Sequence, residues 1–278
     1  MRQPPDLAAA LADLTVPLPP GRLVVGEEGD GRAGDGREPL LWISDAPAPA
    51  GLWAQLHRAY PQSGLWPLLL SPLDDADPDF RPWLSGELYP GEACGLAGYD
   101  PAAVLREWWE PGEGVDPEDV DPEDVEEESE VLAPYGAVWP GLAPAAAVPG
   151  GAADAEARGL ADVLQSVKDV RLGLVRAGSG AEALAVCGWS GPANHARTAK
   201  IAAVLADWER RFGAQVVEVG FDTLQLSVPV PPATLAEALP LAAEHTAACP
   251  DQVHQGAGSL TAYAEQLVDA HSWYFWWD

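Results

Sequence analysis

The run His245-Thr246-Ala247-Ala248-Cys249-Pro250-Asp251-Gln252-Val253-His254 holds four side chains able to ligate a metal or carry proton and thiol chemistry. His245 and Cys249 are four residues apart, the helical spacing that lets two side chains converge on one ion, and Asp251 and His254 follow on the next loop. Closed structural zinc sites combine two separated ligand pairs, however, and no second Cys/His pair stands elsewhere in the chain. A nucleophilic Cys249 meets a different obstacle. It falls at the C-terminal end of its predicted helix, where the negative end of the dipole disfavours a thiolate. A buried Cys with a helix-end His is the alternative reading, and the residue types alone leave both open.

Other motifs fail on context. Gly178-Ser179-Gly180-Ala181-Glu182-Ala183 has the G-x-G-x-x-A form of a dinucleotide loop. The segment after it is too short for a crossover helix, and no strand ending in an acidic residue follows at the required distance. Gly188-Trp189-Ser190-Gly191-Pro192 ends in Pro where a nucleophile elbow needs Gly. Asp75-Ala76-Asp77-Pro78-Asp79 starts like a calcium loop, but Phe80 and Gly86 occupy its sixth and twelfth positions. The twelve tryptophans, with Trp108-Trp109 and Trp276-Trp277 as pairs, suit ligand stacking but suit a core or an interface better. No cofactor is indicated.

The elements that must position these residues read as α+β. Leu7, Leu11 and Leu14 form a stripe behind Pro5-Asp6, a capped short helix. Strands over 22–25 and 40–44 flank a Gly/Asp-rich stretch, a helix runs over about 51–60, and Leu65-Trp66-Pro67-Leu68-Leu69-Leu70 is a buried strand. Further on, Leu160, Val163, Leu164 and Val167 form a helical stripe, and Val170, Leu172 and Leu174 alternate as a strand. Ile201, Val204, Leu205, Trp208 and Phe212 make an amphipathic helix stopped by Gly213. A hairpin over 215–228 comes next. Thr234 with Glu237 is a capping box opening a helix to about Ala248, in which Pro240 should cause a kink or a restart. Ser259 caps a last helix, and Trp273-Tyr274-Phe275-Trp276-Trp277 is the final strand. The order strand, helix, strand, strand, helix, strand resembles a split βαβ (ferredoxin-like) arrangement. It implies an antiparallel or mixed sheet with helices on one face.

Between Glu110 and Glu130, twelve of twenty-one residues are Asp or Glu, none is Lys or Arg, and Asp-Pro-Glu-Asp-Val occurs twice in tandem. Like charges this dense repel, so the stretch reads as a disordered acidic linker. It separates an N-terminal α+β lobe (1–109) from a C-terminal α+β domain (131–278). Removing its twelve charges from the net −28 still leaves −16 on the rest. Nucleic acid and anionic membrane surfaces are excluded as default partners, because binding phosphates needs clustered Lys and Arg. Cys94, Cys187 and Cys249 are three and unpaired by spacing, and no signal-peptide core or bilayer-length apolar run occurs, so a cytoplasmic location is expected.

Gly220-Phe221-Asp222-Thr223-Leu224, the block Ala243-Glu244-His245 leading to Cys249-Pro250-Asp251, the pair Gln255-Gly256 and the ending Phe275-Trp276-Trp277-Asp278 together resemble the domain-of-unknown-function family 4253. The resemblance covers about 171–278, and Gly64-Leu65-Trp66-Pro67-Leu68-Leu69 is similar to a block upstream in such proteins. It brings no activity and no catalytic residue. It implies that His245, Cys249, Asp251, Gln255, Trp276 and Trp277 belong to one constellation, with His254 beside it. The acidic balance, the aromatic surplus and the lack of any complete catalytic motif favour a non-enzymatic module that binds a basic protein, of an immunity or adaptor kind. The alternative is a metal- or thiol-dependent enzyme built on His245, Cys249, Asp251 and His254. Nothing in the sequence indicates an oligomeric state.

Overall fold

The computed structural model describes residues 6–26, 38–74, 76–90, 98–110 and 122–278. Its strands are β1 (Gly21–Val24), β2 (Leu41–Pro47), β3 (Leu65–Leu70), β4 (Arg171–Arg176), β5 (Gln215–Val219), β6 (Thr223–Ser227) and β7 (Ser272–Trp276). They form one seven-stranded mixed sheet in the order β1-β2-β4-β3-β5-β6-β7. All neighbouring pairs are antiparallel except β3 with β5, which run parallel through Leu69↔Glu218 and Leu70↔Val219.

The expected α+β class holds, and its finer arrangement differs. In a split βαβ unit the last strand would lie beside the first; here β7 pairs with β6 at the end of the sheet, and β3 enters between β4 and β5. The strands of the expected lobe (1–109) and of the expected domain (131–278) thus contribute to the same sheet. Helices cover both faces rather than one. All six positions of β3 are buried, so each face of this central strand needs cover.

On the larger side Trp66, Leu68, Leu70, Val216, Leu224, Leu226, Trp273 and Phe275 pack under α3 (Pro101–Trp109), α6 (Gly180–Cys187), α7 (Thr198–Phe212), α8 (Leu235–Ala248) and α9 (Leu260–Leu267). On the smaller side Trp42, Leu65, Leu69, Leu172, Leu174 and Val217 meet α1 (Leu7–Ala12), α2 (Leu52–Ser63) and α5 (Ala152–Val167). Pro67 is tolerated inside β3 because the parallel ladder to β5 engages only from Leu69, while the Trp66 indole reaches the Val216 carbonyl at 3.4 Å.

Local rules fix the helix ends around the site. Gly213, at φ 66°, stops α7 where a side chain would be strained. Thr234 and Glu237 form the expected capping box of α8, and Ser259 caps α9 through the Ala262 amide. Pro240 lies within α8 without dividing it; packed against α3 and α9, the helix continues to Ala248. The acidic stretch 110–130 departs from the expectation of disorder in its last part. Residues 111–121 lie outside the described residues, but Pro122–Val131 forms α4. Glu is a good helix former, Pro122 suits a first turn, and Leu132 just beyond anchors the end in the larger core.

Candidate functional site

Helix α8 ends at Cys249 because Pro250 follows, and the residue before a proline is driven out of the helical region; Cys249 sits at φ −150°, ψ 83°. A π-helical turn over Gln252–Ala257 follows, closed by Gly258 at φ 76°. This corner lies against β7. As the last strand of the sheet, β7 has only β6 as a ladder partner, so alternate residues present backbone groups to its open side.

Three side chains of the corner take those groups in turn. The Cys249 thiol donates to the Trp276 carbonyl at 2.9 Å, Gln252 Nε2 donates to the Tyr274 carbonyl at 2.8 Å, and Asp251 Oδ2 accepts from the Asp278 amide at 3.1 Å. Gln255 holds Asp251 by donating to Oδ1 at 2.9 Å, and the Trp277 indole donates back to the Ala248 carbonyl at 3.0 Å. A spacing of two along β7 and the residues just after it matches Gln252, Cys249 and Asp251 to residues 274, 276 and 278. Most of the expected constellation is therefore one unit, and its partners are main-chain atoms of the final strand.

His245 stands behind this corner, fully buried, with Nδ1 paired to the Tyr263 hydroxyl at 3.0 Å. Rings of Trp208, Trp273 and Phe275 surround it at centroid distances of 4.7, 4.5 and 4.9 Å. Its Nε2 has no hydrogen-bond partner. Burial and then the Arg211 charge hold its pKa well below the ordinary value, so it is neutral at physiological pH. Burial pushes the Cys249 thiol up to about 12, as the negative helix end would also do. A protonated thiol is what a donor to a carbonyl requires. It is the opposite of an activated nucleophile.

His254 does not join the others. It is exposed on the far side of the π-helical turn, 3.5 Å from Glu128 of α4. Among the described residues, no three His, Cys, Asp or Glu side chains converge as metal ligands would. Asp75 of the calcium-like loop and Cys94 lie outside the described residues.

Two contributors escape a search by residue type. Gln252 is neither a nucleophile nor a usual metal ligand, yet it is one of the three residues closing β7. Glu244 and Arg211 form a buried ion pair with Asp207: Arg211 Nε donates to Asp207 at 2.5 Å, and its Nη atoms donate to both oxygens of Glu244. Glu244 also accepts from the Trp208 indole at 2.8 Å and from the Ala143 amide at 2.6 Å, while Arg211 donates to the Ala143 carbonyl at 2.9 Å. Each charge is met by hydrogen bonds, the condition under which a buried pair is sustained. The network pins the backbone at Ala143 against α7 and α8.

In comparison with known proteins, the family model described as Domain of unknown function (DUF4253) matches residues 171–278. No curated protein and no solved structure matches the chain. The matched residues hold β4 to β7, the corner and its π-helical turn; β3, from outside the match, completes the sheet between β4 and β5. No helix among the described residues is long and apolar enough to cross a membrane.

Proposed function

We propose, taking residues 171–278 as a member of the DUF4253 family, that the chain is a non-enzymatic module that binds a basic protein. The observation that carries this reading is α4. Glu126, Glu127, Glu128 and Glu130 are exposed on a helix anchored to the fold, and no Lys or Arg occurs from residue 107 to residue 157. With −28 on the whole chain, such a surface attracts cationic partners and speeds their encounter. An immunity-like inhibitor or an adaptor would both use it in this way. The enzyme reading draws on residues with other employment: Cys249 and Asp251 are bonded to β7, His245 is caged by rings, and His254 faces α4.

The test is retention of proteins from its own host on the immobilised chain, read by mass spectrometry along a salt gradient. A basic protein held at low salt, eluted as the Debye length shrinks, and lost when the four glutamates become Gln is the expected result. Retention that ignores both salt and these substitutions would overturn the reading.

A further inference from the structure

A groove of about 470 Å³ opens between α8, the segment before α5 and the loop after β6. Its depth is aromatic, from Phe212 and Trp273, both nearly fully buried, and its walls carry Pro144, Pro231, Pro232 and Pro240. Volume and lining are those of a site that takes an apolar group. The walls are also held in place. The Arg211–Glu244 pair bonds both the amide and the carbonyl of Ala143, and the Ala146 amide donates to the Arg211 carbonyl at 2.9 Å. The groove is therefore preformed, so little ordering is required of it on binding.

Its rim is acidic. Glu237 lines the groove and uses one oxygen, Oε2, to cap the Ala233 and Thr234 amides. Asp269 is not part of the lining but is exposed and held beside it, its amide donating to the Pro232 carbonyl at 2.9 Å. One polar atom in the lining lacks a partner, the Trp273 indole nitrogen.

Resting on the basic-partner reading above, we infer that this groove is where that partner is anchored, by one large apolar side chain flanked by Lys or Arg. Prolines and aromatic rings provide the flat apolar surfaces that an aromatic anchor packs on; Glu237 in the lining, and Asp269 bonded to Pro232 beside it, are the carboxylates offered to flanking cations. The net charge of −28 makes a cationic occupant the complementary one.

The probe is a labelled Lys/Arg-rich peptide with one central Trp, compared with the same peptide carrying Ala there, by fluorescence anisotropy at low and high salt. The Trp peptide should bind the intact chain at least about tenfold more tightly than the Ala peptide. Ala236→Trp, a substitution at an exposed groove position of α8, should abolish that difference while leaving salt-dependent binding of both peptides. Asp269→Asn should weaken both a few-fold, since Asn tolerates the φ of 55° found there. In the intact chain, the indole resonance of Trp273 should shift with the Trp peptide and not with the Ala peptide, a readout that does not depend on how the variants fold. Equal binding of the two peptides, or discrimination that survives Ala236→Trp, would overturn the groove and leave the basic-partner reading standing. Absence of binding by either peptide at low salt would count against both. A small apolar molecule found in the groove by native mass spectrometry, with no peptide discrimination, would assign the groove elsewhere.

Discussion

The two edges of the sheet face the same physical problem and meet it differently. A final strand leaves a row of backbone donors and acceptors open to other chains. At one end β1 is four residues long, exposed over its first three, and carries Arg22 in a surface pair with Asp45 of β2. Shortness and charge are enough there. At the other end β7 is aromatic, with Trp273, Phe275 and the following Trp277 buried, and such an edge would pair readily if left open. It is closed instead by the thiol of Cys249, the amide of Gln252 and the carboxylate of Asp251. Residue types associated with chemistry can thus be held for the hydrogen bonds they offer to main chain. Their closeness in sequence matches the spacing of the backbone groups they bond.

Substitutions at the two edges should separate them sharply. Trp277→Ala removes a buried ring packed on Trp189 and Phe275 along with its bond to Ala248, and should cost about 3–5 kcal/mol in chemical denaturation. Gln252→Ala leaves the Tyr274 carbonyl without its donor and should cost about 1–3 kcal/mol. Combining it with Cys249→Ala should give less than the sum, because the two side chains close one strand and approach each other at 3.8 Å.

Acid should also strike the β7 side. His245 is neutral when folded and free to protonate when unfolded, so its contribution is fully present above the ordinary His pKa of about 6.5 and is lost as pH falls through its lower folded value. Within that window it should supply about 1.4 kcal/mol of slope per pH unit, and His245→Phe should flatten the profile by that amount. His57 and His195, also lowered by burial, act in the same direction, whereas Glu209, pushed up to about 7 by burial, opposes them. At the β1 edge, Leu23→Lys should change stability by no more than about 0.5 kcal/mol at any pH. A loss there comparable to that of Gln252→Ala would break the contrast.

What the sequence discloses here is what local rules govern. The stripe of α7 and its stop at Gly213, the hairpin of β5 and β6, and the caps at Thr234 and Ser259 each depend on residues within a few positions of one another. The sheet order does not. Leu65–Leu70 reads as a buried strand, yet nothing local tells that it lies between β4 and β5, running parallel to the latter. Helices on both faces follow from that placement. The acidic helix α4 was hidden by its own charge, since its anchor, Leu132, lies beyond the acidic run.

At the site, family resemblance groups Cys249, Asp251, Gln255, Trp276 and Trp277 but not their purpose, because Cys249, Asp251 and Trp277 bond to backbone atoms, which are common to every residue. His254 was grouped by nearness in sequence, and the π-helical turn carries it to the opposite side. Gln252 is not marked out by its type, and Glu244, although it stands in the block beside His245, is not marked as the partner of Arg211, 33 residues earlier.

The most direct measurement is the rate at which maleimide labels Cys249 in the native chain, resolved from the other two cysteines by peptide mapping. A thiol that donates to the Trp276 carbonyl and is pushed up to about 12 should label only as fast as the chain unfolds, and faster in Gln252→Ala in proportion to its lost stability. Rapid labelling of the folded chain, undiminished by conditions that raise its stability, would contradict the edge-closing role and return Cys249 to the list of reactive groups.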